Sequence, residues 1–189
     1  MRRTTIRRGA GRAVATLGAL LCVALVAGPA AADSATFTDA RGDIRASNDI
    51  WSVRVVNGAD QGTRLHLVAR LRDLGPGDQV DFWIDTVATD PGPEFRADAV
   101  ANSDFLEVRA VDHWQQSGTA VACPGLRVRM DGFNPTQRAR FSIPLRCLGN
   151  PGAVRVAAHS RSITENGAQN DWAPALRTWY PWVARSPVA

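Results

Sequence analysis

Between Thr38 and Trp51 the chain places three carboxylates, Asp39, Asp43 and Asp49, within eleven residues. Hard divalent cations take several oxygen ligands, and calcium accepts carboxylates and carbonyls from a single loop. Gly42 permits a tight turn between the first two. Asp39, Asp43 and Asp49 are therefore a candidate calcium site. The spacing is not that of an EF-hand, whose twelve-residue loop closes on a glutamate. The competing reading is structural: Asp39 and Asp43 shape turns through backbone hydrogen bonds, and Asp49 caps the start of a strand.

The second chemistry is aromatic. Six tryptophans stand against one tyrosine, Tyr180. Trp83 alternates with Phe82 and Ile84, so it faces away from them, beside Asp81 and Asp85. An exposed indole flanked by carboxylates can stack on the C–H face of a sugar while the acids bond its hydroxyls. Trp83, Trp114, Asp81 and Asp85 form the candidate ligand surface. Trp51 shares a strand face with Val53 and Val55 and is expected in the core. Trp172, Trp179 and Trp182 fall in a C-terminal aromatic segment, residues 171–185, expected to fold over an open end of the domain as a plug.

Catalytic patterns are sparse. The sequence has no Gly-x-Ser-x-Gly elbow, no His-Glu-x-x-His and no glycine-rich phosphate loop. His66, His113 and His159 read as surface or strand-boundary residues. A glycoside hydrolase needs two carboxyls across a cleft. Only Glu94, Glu107 and Glu165 are glutamates, and nothing pairs Glu107 with a partner. Met130 is expected to pack in the core. Arg41-Gly42-Asp43 spells an integrin-type tripeptide, but these residues already belong to the acidic loop.

The overall charge of +4 with 22 basic residues, all arginine, suggests an anionic partner until the positions are examined. Five arginines lie in the first 32 residues, which hold no acid; removing them leaves 17 arginines against 18 acids. The remainder is close to neutral, which argues against a nucleic-acid binder. A hydrophobic fraction of 45% excludes a disordered chain. Residues 1–32 have the form of a signal peptide: a basic start, an apolar run from Ala13 to Ala27, a Gly28-Pro29 break and Ala30-Ala31-Ala32, with cleavage expected at Ala32–Asp33. That run is too short to span a bilayer, and no membrane span is expected in the mature chain. Cys22 lacks a lipobox before it. Arg2-Arg3 and Arg7-Arg8 lack the following hydrophobic pair of a twin-arginine signal, so general secretion is the expected route.

Residues 33–189 are the length of one domain. Cys123 and Cys147, the two cysteines left after cleavage, are expected to form a disulfide in an exported protein. The elements that must position the candidate residues read as strands. Thr63 to Arg72 alternates most cleanly, with Leu65, Leu67, Ala69 and Leu71 on one face and Arg64, His66, Arg70 and Arg72 on the other. Together with Trp51–Val55 it predicts an antiparallel hairpin. Further segments follow at Val80–Ile84, Ala99–Ala101, Phe105–Val111, Thr119–Cys123, Leu126–Met130, Arg138–Ile143 and Val154–Ser160, with one helical turn near Pro144–Leu148. About eight or nine short strands punctuated by Gly and Pro predict an all-β, two-sheet antiparallel sandwich of jelly-roll type.

The run Asp39-x-x-Gly42-Asp43, then Asp49-Ile50 and an alternating hairpin, resembles the opening of sandwich domains related to family nine carbohydrate-binding modules and DOMON-like domains. Cys147-Leu148-Gly149, Asp171-Trp172-Ala173-Pro174 and Pro181-Trp182-Val183 are similar to segments of uncharacterised exported actinobacterial proteins. The resemblance implies a β-sandwich and a structural ion near Asp39 and Asp43. From residues and resemblance together, the expected function is a secreted, non-catalytic domain that binds carbohydrate or a cell-envelope glycan. The alternative is a structural or protein-interaction domain of the cell exterior, meeting an acidic partner through a sheet edge or the Arg64/Arg70/Arg72 face.

Overall fold

Sustained alternation of apolar and polar residues puts one set of side chains on each face of a strand. A computed structural model, describing residues 34–44, 48–114, 117–131 and 137–185, turns that pattern into twelve strands in two sheets. The first sheet contains β1 (Ser34–Thr38), β2 (Ile50–Gly58), β3 (Arg64–Leu71), β8 (Arg127–Asp131) and β9 (Gln137–Pro144) in the order β1-β2-β3-β9-β8. The second orders β11 (Gly167–Ala173), β10 (Ala153–Thr164), β4 (Gln79–Asp85), β5 (Phe95–Val100), β6 (Leu106–Ala110) and β7 (Thr119–Val121) as β11-β10-β4-β5-β6-β7, with β12 (Val183–Ala184) beside the start of β10. Every pairing is antiparallel. The signal peptide and cleavage point read at residues 1–32 and Ala32–Asp33 lie outside the described residues.

The inward residues of both sheets make one core: Val53, Leu65, Leu67 and Phe141 from the first, Val80, Phe82, Ile84 and Val156 from the second. Phe82 and Phe141 meet edge to face across it, with ring centroids 5.1 Å apart. Met130 packs against this core, as its strand position predicts.

The predicted disulfide forms. Cys123 and Cys147 are bonded with Cα atoms 5.4 Å apart. The bridge ties the connection from β7 to β8, where the chain crosses between sheets, to the 3-10 turn Leu145–Leu148 after β9.

Three local expectations are corrected. Trp51 is half-buried rather than in the core, because the β2–β3 register shifts between Ile50 and Ser52. That bulge brings Ile50 inward and turns Trp51 out, under the Arg41 guanidinium at 4.7 Å. The C-terminal segment does not plug an open end. Its first part is strand β11, and the rest runs beside β10, where the Tyr180 N–H donates to the Val156 carbonyl. Within it Tyr180 and Val183 turn inward while Trp179 and Trp182 stay partly exposed beside Arg155. Third, β5 covers Phe95–Asp98, a stretch that reads as the end of a polar loop because charged Arg96 and Asp98 alternate only with small Ala97 and Ala99.

Candidate functional site

Two groups of polar residues stand apart from the core. The first gathers where β1 leaves its sheet. The Asp39 N–H bonds the Trp51 carbonyl, holding the acidic loop to the start of β2. Gly42 turns at φ 75° and donates its N–H to Asp49 Oδ2 at 2.9 Å, and the same oxygen accepts the Trp51 indole N–H at 2.8 Å. Asp49 is thus spent on shaping the loop and lies beside the metal-type cluster. Asp171 of β11 takes the place expected for it: oxygens of Asp39, Asp43 and Asp171 all lie within 4.8 Å of one another. Asp171 is fixed by accepting the Ile50 N–H at 2.6 Å.

The electrostatics are those of crowded anions. Burial, then Asp171, Asp43 and Asp49, push Asp39 up to about 6 against a hydrogen bond from the Ala40 N–H. Burial, with Asp43 and Asp49, also raises Asp171 despite its backbone bonds. Tyr180 is only 5% exposed and its hydroxyl has no hydrogen-bond partner. Burial raises its pKa first, followed by the charges of Asp39 and Asp171. Buried Asp39 Oδ2 and Asp49 Oδ1 are also without partners.

The second group covers the outer face of the second sheet. Antiparallel register aligns Trp172, His159, Asp81, Asp98 and Glu107 in one row across β11, β10, β4, β5 and β6. The next row runs Ala157, Trp83, Arg96 and Arg109. Asp81 and Asp98 face each other directly, both buried. Burial and the Asp81 charge push Asp98 up to about 7, against Arg96 at 2.5 Å. Burial alone would raise Asp81, but hydrogen bonds from His159, from the protonated Asp98 and from Gln79 outweigh it and hold its carboxyl below the usual range.

The expected sugar surface at Trp83, Asp81 and Asp85 is therefore not open. Trp83 is 4% exposed, lying beneath Trp114 and Trp172 with centroids 5.6 and 6.1 Å away and Arg96 beside its ring. Asp85 is buried and takes Nε and Nη2 of Arg155 at 2.6 and 2.5 Å. Asp81 is held by His159 Nδ1 at 2.9 Å. Alternation correctly sent these side chains to the outer face. It could not show that residues distant in sequence build a second layer there. That layer is Trp114, Trp172 and Trp179, each partly exposed, with Trp114 packed 4.3 Å from Trp179 and 5.9 Å from Trp172. His159 stacks under Trp172 at 4.5 Å, and Arg155 lies against both Trp179 and Trp182.

Comparison of the chain with protein-family models, curated proteins and solved structures found no match.

Proposed function

We propose that the protein is an exported, non-catalytic binding domain whose ligand is a carbohydrate or cell-envelope glycan. The observation that carries this reading is the partly exposed indole layer of Trp114, Trp172 and Trp179 on the outer face of the second sheet. Its floor is rigid, because Trp83 and the ion-paired acids below it are buried. Asn170, which bonds His159 Nε2, and Arg155 border it with groups able to meet hydroxyls. Stacked aromatic surface with few polar groups at its margin is the usual composition of a sugar-binding face. Affinity electrophoresis against a panel of neutral polysaccharides tests the proposal. Wild-type protein is expected to be retarded by at least one of them. Trp172→Ala and Trp114→Ala should each weaken that by at least about tenfold, ~1.4 kcal/mol. No retardation of the wild type by any member would remove the reading.

The same domain is proposed to hold one hard divalent cation, of which calcium is the best fit, among Asp39, Asp43 and Asp171. Beyond the convergence of the three acids, support comes from buried oxygens without hydrogen-bond partners: Asp39 Oδ2 in the cluster, and the Tyr180 hydroxyl and Asp49 Oδ1 on residues whose electrostatics are linked to it. A cation there would relieve repulsion between carboxylates and fasten the loop after β1 to β11. Calcium should raise Tm relative to chelator, and terbium added to the protein should show emission sensitised by nearby Trp51, Trp172 or Tyr180. Asp171→Asn should abolish both effects. An unchanged Tm together with absent terbium emission would remove the ion.

A further inference from the structure

The outer face of the first sheet takes no part in either proposal. While Leu65, Leu67, Ala139 and Phe141 point into the core, the alternate residues of the same strands present arginine. β3 carries Arg64 and Arg70, and β9 carries Arg138 and Arg140. Flanking them, β2 contributes Arg54 and the edge strand β8 contributes Arg127 and Arg129. The sequence shows only one strand of this array, because the rest is assembled by the order β2-β3-β9-β8.

Register makes the array costly by itself. Arg70 lies directly opposite Arg138, and Arg140 directly opposite Arg129. Like charges directly opposed across an antiparallel pair are destabilising. Among the described residues this face has two acids. Asp131 bonds Arg129 Nε at 2.6 Å and also binds Arg140; Asp60 lies 3.7 Å from Arg64 and 3.3 Å from His66. Asp131 stands opposite Arg138 across β8 and β9, yet the buried Nε atoms of Arg70 and Arg138 have no hydrogen-bond partner. Burial, then Arg127 and Arg146, lower the Arg64 pKa in spite of Asp60, as expected of a crowded cationic surface. A groove of about 300 Å3 opens between the strands, lined by Arg127, Arg129 and Arg140, by His66 and Ser142, and at one end by the acid Asp60.

We propose that this face binds an anionic polysaccharide, a polymer of carboxylate-bearing sugars, laid along β8 and β9 over the groove. Guanidinium groups are good partners for carboxylates, as Asp131 shows at one end of the array by taking one bond from Arg129 and one from Arg140. Alternate residues along a strand put Arg127 and Arg129 ~6.6–6.8 Å apart, and Arg138 and Arg140 likewise, a regular line of cations suited to a regular line of anions. Ser142 and His66 supply hydrogen-bonding groups for hydroxyls beside the charges. Around the groove, the outward residues of β3, β8 and β9 include no Trp, Tyr or Phe on which nucleic-acid bases would stack. They also lack the large apolar side chains with which a basic surface enters a lipid interface. The surface lies on the opposite sheet from the indole layer, so it stands whether or not that layer binds sugar.

The test passes the full chain over immobilised polygalacturonate. Wild-type protein should be retained at low salt and released as ionic strength approaches about 1 M, where the screening length falls to ~3 Å. Free polygalacturonate should raise Tm, since it binds the folded state. The double variant Arg127→Glu/Arg129→Glu, changed at two exposed positions, should lose at least about tenfold in affinity. Arg127→Lys/Arg129→Lys, which keeps charge but not the fork, should lose less and serves if the charge reversal disturbs folding. Trp172→Ala should remain bound, which separates this face from the aromatic one. Failure of the wild type to be retained, or equal retention of the Glu and Lys variants, overturns the proposal. Tighter retention on polyphosphate, DNA or anionic lipid vesicles than on polygalacturonate overturns its carboxylate chemistry.

Discussion

Asp98 sits 2.5 Å from the Arg96 guanidinium and still keeps its proton up to about pH 7, because it is buried and faces the Asp81 carboxylate. A carboxyl whose folded pKa is raised above 3.8 stabilises the fold fully below that value, and the contribution is lost as pH rises through about 7. Asp81 works the other way: its carboxyl is held low, so its contribution is present above the free value and lost in acid. Tm is therefore expected to be highest in mildly acid solution and to fall toward pH 8. Asp98→Asn, neutral at every pH, should flatten the decline between pH 5 and 8, which thermal melts in matched buffers would show. An unaltered slope would mean that the pair shares no proton. Single residues were legible by direction only. Asp81, Trp83 and Asp85 went to the face alternation assigned them, whereas their burial depends on Trp114, Trp172 and Arg155 arriving from elsewhere in the chain.

Elements were readable in proportion to how strongly their side chains alternate. β3, with Leu65, Leu67, Ala69 and Leu71 all inward, is unmistakable. β11 has the sequence Gly-Ala-Gln-Asn-Asp-Trp-Ala, so its period-two pattern is carried by polar residues and no apolar stripe marks it. Overlooking it as a strand also left Asp171 out of the acidic cluster. Asp49 seemed the natural third ligand from spacing, yet the Gly42 and Trp51 N–H groups engage one of its oxygens. Ala35 and Phe37 do alternate in β1, but a strand of five residues offers little period to count. The disulfide was legible from cysteine arithmetic, and its role belongs to an element. It closes a separation of 24 residues around β8, β9 and the 3-10 turn, which in the chain-entropy model is worth about 3 kcal/mol. Cys123→Ser/Cys147→Ser should lower stability by roughly that amount in urea melts. A change below ~1 kcal/mol would indicate that packing alone holds the β7–β8 crossing.

At the scale of the molecule, near-neutrality hides segregation of charge. Arginine dominates the outer face of one sheet, paired ions and indoles cover the other, and carboxylates meet where β1, β2 and β11 approach. Composition could show that the body of the chain is balanced but not that unpaired arginine gathers on one face while the other holds ion pairs, since that depends on strand order. Strand order also decides which residues must wait for which. The Ile50 N–H finds Asp171, the Asn57 amide finds the Val183 carbonyl, and Arg185 reaches the Gly62 carbonyl, each across more than 120 residues. Contacts so remote in sequence give a high contact order, and folding of such topologies is slow, on the order of milliseconds to seconds. During synthesis the first hairpin must remain without these partners until residues 171 to 185 have emerged.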